Sequence, residues 1–132
     1  MQAEQLRQIA EEALEQIKAR DVVVLDTRKL TSLFDFMIVA SAESTRQTKA
    51  LARNVEASVK AAGGSVLGIE GEQTGEWVLV DMGSVIVHIM QPAVRDYYNL
   101  EQLWGGEAPR RAQAPRRPTD LRPNDPGGVF RP

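Results

Sequence analysis

The sequence predicts a mixed α/β (α+β) fold: one five-stranded mixed β-sheet with flanking helices, followed by a disordered tail. Three observations lead there. Glu76–Met90 (Glu-Trp-Val-Leu-Val-Asp-Met-Gly-Ser-Val-Ile-Val-His-Ile-Met) is two β-branched apolar runs around a glycine-containing break, the pattern of a β-hairpin. Upstream of it, amphipathic helical stretches alternate with short apolar strands, which favours a single sheet packed against helices. At the far end, Pro109–Pro132 holds six of the seven prolines and shows no apolar period. Residues 1–107 therefore read as one folded domain and 108–132 as a Pro/Arg-rich disordered tail.

Composition narrows the function. With 132 residues, 42% apolar and 26% charged, the chain can bury a core of its own. It has no cysteine, which excludes disulfides, thiolate metal sites and a cysteine nucleophile. A single histidine, His88, excludes a metal-binding histidine pair. No apolar run reaches the ~18 residues needed to cross a membrane, and no basic-then-apolar leader opens the chain. A cytoplasmic protein is expected.

The net charge of −2 hides a division. Residues 109–132 carry six arginines against two aspartates, a net +4, whereas residues 1–108 carry −6. An acidic body argues against a nucleic-acid grip centred on the fold and is compatible with a basic protein partner. The arginine-rich tail suits incidental RNA contact, with a solvated spacer as the plainer expectation.

The elements follow in order. Leu6, Ile9, Ala10, Ala13, Leu14 and Ile17 line one side of a helix over Ala3–Ala19. Asp21–Asp26 is a short strand, apolar between its aspartates, as an interior strand would be. Phe34–Ser41 is a second strand, with Phe36, Ile38 and Ala40 on one face and Asp35, Met37 and Val39 on the other. Ser44-Thr45-Arg46-Gln47 fits a capping box opening a helix that Gly63-Gly64 ends near Ala62. Ser65–Glu70 is a third strand. After the hairpin, Gln91-Pro92 opens a last helix running from about Ala93 to Trp104. On it Val94, Tyr97, Leu100 and Trp104 share one side.

Within the hairpin, a two-residue loop at Met82-Gly83 pairs Val80 with Val85, Leu79 with Ile86, Val78 with Val87 and Trp77 with His88. Val78, Val80, Val85, Val87 and Ile89 then form an aliphatic core face. Trp77, Leu79, Asp81, Ser84, Ile86 and His88 form a second face, apolar but edged with polar groups. The two long helices can cover the first face. The short last helix cannot easily cover five strands, so part of the second face is expected at the surface, as an interaction patch. The alternative is that this helix folds over the hairpin and Trp77 is ordinary core.

Catalytic signals are weak. No G-x-x-x-x-G-K-[ST] or G-x-G-x-x-G arrangement occurs, and no serine has a nucleophile-elbow context. Asp26, Asp35 and Asp81 could converge on a metal ion, or they could serve strand-end turns. Met37 stands where a paired-aspartate motif would need a second carboxylate after Asp35. Neither cofactor nor metal is expected.

Several motifs carry a family resemblance. They are Asp35-Phe36-Met37-Ile38-Val39-Ala40-Ser41, Ser44-Thr45-Arg46-Gln47, Gly75-Glu76-Trp77-Val78-Leu79-Val80-Asp81-Met82-Gly83, Val85-Ile86-Val87-His88 and Arg95–Trp104 (Arg-Asp-Tyr-Tyr-Asn-Leu-Glu-Gln-Leu-Trp). Together, over about residues 3–105, the chain resembles the ribosomal silencing factor family, also called Iojap. The resemblance implies a nucleotidyltransferase-like fold used for a non-enzymatic role. It implies binding to the large ribosomal subunit at its intersubunit face, through the basic ribosomal protein L-fourteen, so that the small subunit cannot join. Translation is thereby lowered when nutrients are scarce, and organellar members are linked to large-subunit assembly. Members also self-associate as dimers. The implied contact positions here are Trp77 and Asp81, with Leu79, Met82 and Tyr98 as weaker transfers. A metal-dependent nucleotidyltransferase-like enzyme using Asp26, Asp35 or Asp81 is the alternative.

Overall fold

The structure, a computed structural model, describes residues 1–105. The boundary expected at 107/108 and the Pro/Arg-rich tail lie outside the described residues. The elements are α1 (Ala3–Gln16), β1 (Arg20–Asp26), β2 (Phe36–Ser41), α2 (Thr45–Ala61), β3 (Gly68–Glu70), β4 (Trp77–Asp81), β5 (Val85–Met90), α3 (Pro92–Tyr98) and α4 (Leu100–Gly105). The five strands form one sheet in the order β1-β2-β5-β4-β3. β2 and β5 run parallel, and every other neighbouring pair is antiparallel. The mixed sheet is as expected.

α1 and α2 cover one sheet face. Leu6, Ala10, Ala13 and Leu14 of α1 and Leu51, Ala52, Val55 and Val59 of α2 pack with Phe36, Ile38 and Ala40 of β2. Val78, Val80, Val85, Val87 and Ile89 of the hairpin complete this core. Asn54 ties the two helices, donating to the Ala13 carbonyl and to Gln16 Oε1. Ser44 caps α2 by accepting from the Gln47 N–H, as the capping box predicts. Gln47 reaches one residue further back than expected, accepting from the Glu43 N–H, while its amide donates to the Ile17 and Lys18 carbonyls at the end of α1.

Two sequence expectations are corrected. β1 is an edge strand, paired only with β2 and bulged between Arg20 and Val23, where Asp21 has φ 51°. Its apolar run reflects cover on its faces: Val22 and Val24 pack on the α1/α2 core, and α4 lies against the strand. The last helix is two helices. Asn99 adopts a left-handed conformation, φ 49° and ψ 57°, and ends α3 before α4 begins. Asparagine accepts this conformation at little cost, which makes it a natural breaking point.

That break reorganises the second sheet face. Instead of Tyr97, which is exposed, the most deeply buried side chains of this segment are Arg95 and Glu101. Arg95 donates through Nε to Glu101 Oε2 at 2.9 Å and through a terminal nitrogen to the Ser41 hydroxyl at 2.8 Å. Residues six apart do not meet on a continuous helix; the turn at Asn99 brings them together. Phe34 and Trp104 make a tilted ring contact with centroids 5.2 Å apart. These contacts tie α3 and α4 to the side of β2 that carries Met37, Val39 and Ser41, and both Met37 and Val39 are buried.

Candidate functional site

The hairpin presents alternate residues to the two faces, as its pattern predicts. Val78, Val80, Val85, Val87 and Ile89 are fully buried, while Trp77, Leu79, Asp81, Ile86 and His88 are half-buried. The register differs from the expected one. Asp81 pairs with Ile86, Val80 with Val87, Leu79 with His88, Val78 with Ile89 and Trp77 with Met90. The loop is Gly83-Ser84, closed by the Met82 N–H donating to the Val85 carbonyl at 3.0 Å. Asp81 sets this turn: its carboxylate accepts from the Gly83 N–H at 2.9 Å, and Gly83 takes φ +82°. The displacement is two residues, so each side chain keeps its face.

It does change who meets whom. Trp77 is diagonal to His88, and its indole N–H donates to His88 Nδ1 at 2.9 Å. Diagonal neighbours on one face are within reach of aromatic side chains. Because Nδ1 accepts, the neutral ring carries its proton on Nε2. Burial pushes the His88 pKa down to about 4. Tyr98, at the end of α3, also packs on Trp77, with centroids 4.8 Å apart and planes at 48°. The indole is thus held by a hydrogen bond and by a ring contact.

The five transferred positions separate. Trp77, Leu79, Asp81 and Tyr98 are partly exposed, and Trp77 and Tyr98 touch. Met82 follows Val78 and Val80 onto the core face and is only 5% exposed. Sequence reasoning missed Glu70 and Gly71, which with Trp77, Leu79 and His88 line a cleft of about 410 Å³. The signal was the edge strand itself, once β3 is aligned so that Glu70 opposes Leu79. It also missed the Arg95–Glu101 pair, for which periodicity offers no signal.

The three aspartates have local duties. Asp26 is paired with Arg28, whose side-chain and backbone hydrogen bonds hold its carboxyl at about 2. Asp35 contributes backbone bonds, to Ser84 and Thr27, and Asp81 holds the hairpin turn. Among the described residues no group of three or more His, Asp or Glu side chains could hold a metal ion, and no helix is long and apolar enough to cross a membrane.

Fold and surface together define a class: a small single-sheet α/β scaffold that presents an aromatic, acid-edged surface beside its hairpin. The chain belongs to the ribosomal silencing factor family: a family model described as "Ribosomal silencing factor during starvation" matches residues 1–127. That match takes in most of the Pro/Arg-rich segment, further than the sequence motifs reach. A Chromobacterium violaceum protein named "Ribosomal silencing factor RsfS" is 53% identical over 118 residues, 89% of this chain and 97% of that protein. A mouse protein named "Mitochondrial assembly of ribosomal large subunit protein 1" is 32% identical over 69% of this chain and 41% of its own length. A solved Chromobacterium violaceum structure superposes with a TM-score of 0.80 at 53% identity, covering 90% of this chain and 99% of that one.

Proposed function

We propose that this chain is a non-enzymatic translational repressor of the cytoplasm. It binds the large ribosomal subunit at its intersubunit face, through the basic protein L-fourteen, and sterically blocks joining of the small subunit when nutrients are limiting. The observation that carries this reading is the half-exposed cluster of Trp77, His88 and Tyr98, with Asp81 on the same hairpin face. Aromatic anchors that combine a large contact area with a polar handle dominate binding energy at protein interfaces. Carboxylates beside them select a basic partner. The names of the relatives, which refer to ribosomal silencing and large-subunit assembly, support the choice of partner.

Co-sedimentation of folded variants with purified large subunits tests it. Trp77→Ala is expected to lose most of the binding. Asp81→Asn keeps an acceptor for the Gly83 N–H but removes the charge, and is expected to weaken binding several-fold. Asp81→Lys is expected to weaken it further. Unchanged binding in all three would overturn the proposed surface. Self-association through the same face competes with the subunit; mass photometry of the chain with and without Trp77 separates the two.

A further inference from the structure

The hairpin surface continues onto the edge strand. Glu70 of β3 opposes Leu79 of β4, and Leu79 opposes His88 of β5, so these three side chains form one rung on the same sheet face. Trp77 is two residues before Leu79, on that face. Together with Gly71 they line the cleft of about 410 Å³, with Glu70 at the exposed end. We propose that this cleft receives one lysine or arginine side chain of the ribosomal partner, its stem along Leu79 and Trp77 and its charge at Glu70. The inference rests on the function proposed above and names the chemistry of its anchor.

Four features support a cationic occupant. Glu70 has no ion-pair partner among the described residues, whereas its neighbour Glu72 is paired with Arg53. An indole is the side chain best suited to hold a cation against its face. Leu79 offers apolar surface for the methylene stem that such side chains bury. His88 is kept neutral by burial and by its bond from Trp77, so it adds no opposing charge. Gly71, at φ +88°, lets the backbone of the cleft's lining run close to Trp77, since a Cβ there would lie 2.1 Å from the Trp77 carbonyl oxygen. The rung thus supplies a carboxylate, an aromatic face and an apolar floor.

The experiment uses the full chain and purified large subunits, with Glu70→Gln, Glu70→Lys and Trp77→Ala compared at several salt concentrations. Glu70→Lys is expected to weaken binding about tenfold, since it puts like charge against the incoming cation. Glu70→Gln is expected to weaken it about threefold and to flatten the salt dependence. Wild-type affinity in both Glu70 variants, with binding lost in Trp77→Ala, would overturn the cationic occupant and leave the proposed function standing. Tighter binding in Glu70→Lys would also overturn it, indicating that the chain's own arginine-rich segment occupies the cleft. Unchanged binding in Trp77→Ala as well would overturn the proposed function itself.

Discussion

Trp77 donates its indole N–H to His88 Nδ1, and that bond exists only while the imidazole is neutral. Protonation at Nδ1 would set two N–H groups against each other and leave a charge in a partly buried place. The fold therefore binds the His88 proton more weakly than the unfolded chain does, with a pKa of about 4 against the ordinary 6.5.

The sign of the pH dependence follows. Above pH 6.5 the histidine is neutral in both states and its contribution is complete. As pH falls from 6.5 towards 4, the unfolded chain takes up a proton that the fold refuses, and stability drops. At about 1.4 kcal/mol per tenfold, the loss approaches ~3 kcal/mol by pH 4. Denaturant unfolding across this range, compared with His88→Gln, checks it: the variant is expected to show the shallower decline. The low pKa of Asp26 acts below this window, between 3.8 and about 2.

Removing one member of the buried pair should be costly. Glu101→Ala leaves the Arg95 guanidinium buried without its carboxylate, and is expected to cost about 3–5 kcal/mol. The double variant Arg95→Met with Glu101→Leu is expected to recover much of that loss, because no charge is then left inside. Thermal unfolding of Arg95→Met, Glu101→Leu and the double variant measures the coupling.

Gly71→Ala should act on both stability and binding. A methyl group at φ +88° is strained, and its carbon would overlap the Trp77 carbonyl oxygen, 2.1 Å away. An unfolding cost of about 1–3 kcal/mol is expected, together with weaker large-subunit binding because Trp77 is displaced. By contrast, an alanine at Gly83 would meet only Leu67 at 3.7 Å, so its cost comes from φ alone and is expected to be smaller.

Truncation after residue 107 should leave the melting temperature within about 2 °C of the full chain. The core cluster closes within α1, α2 and the sheet, all before residue 91. Calorimetry on the two chains checks this.

The sequence was most informative where side-chain parity carried the information. The sequence pattern puts the hairpin turn one residue early, on Met82-Gly83 instead of Gly83-Ser84, which shifts every pairing by two, so Val78, Val80 and Val87 still fall on the core face. A shift of one in the pairing would instead have set one strand's side chains on the opposite face from its partner's. Parity also carries Met82 onto the core face, one step beyond Val78 and Val80. The edge position of β1 was not legible, since an apolar run reports cover on its faces and carries no mark of an open backbone edge. The break at Asn99 was hidden because Arg95–Trp104 reads as continuous helix locally. The burial of Arg95 against Ser41 and Glu101 and the contact of Trp104 with Phe34 favour the turn, and those are tertiary effects.

The parallel seam at the centre of the sheet also bears on how the protein is made. Each partner in it lies forty-nine positions from the other, from Phe36 with Val85 to Ser41 with Met90. A nascent chain therefore completes β2 well before β5 is made, and until then one edge of β2 has no partner. The β4–β5 hairpin is local and can zip within microseconds once it emerges. Docking it onto β2 requires the larger loop to close first, which makes that docking the slow step. A released chain truncated before residue 85 would lack that partner and leave the β2 edge open to pairing with other chains, and so invite aggregation.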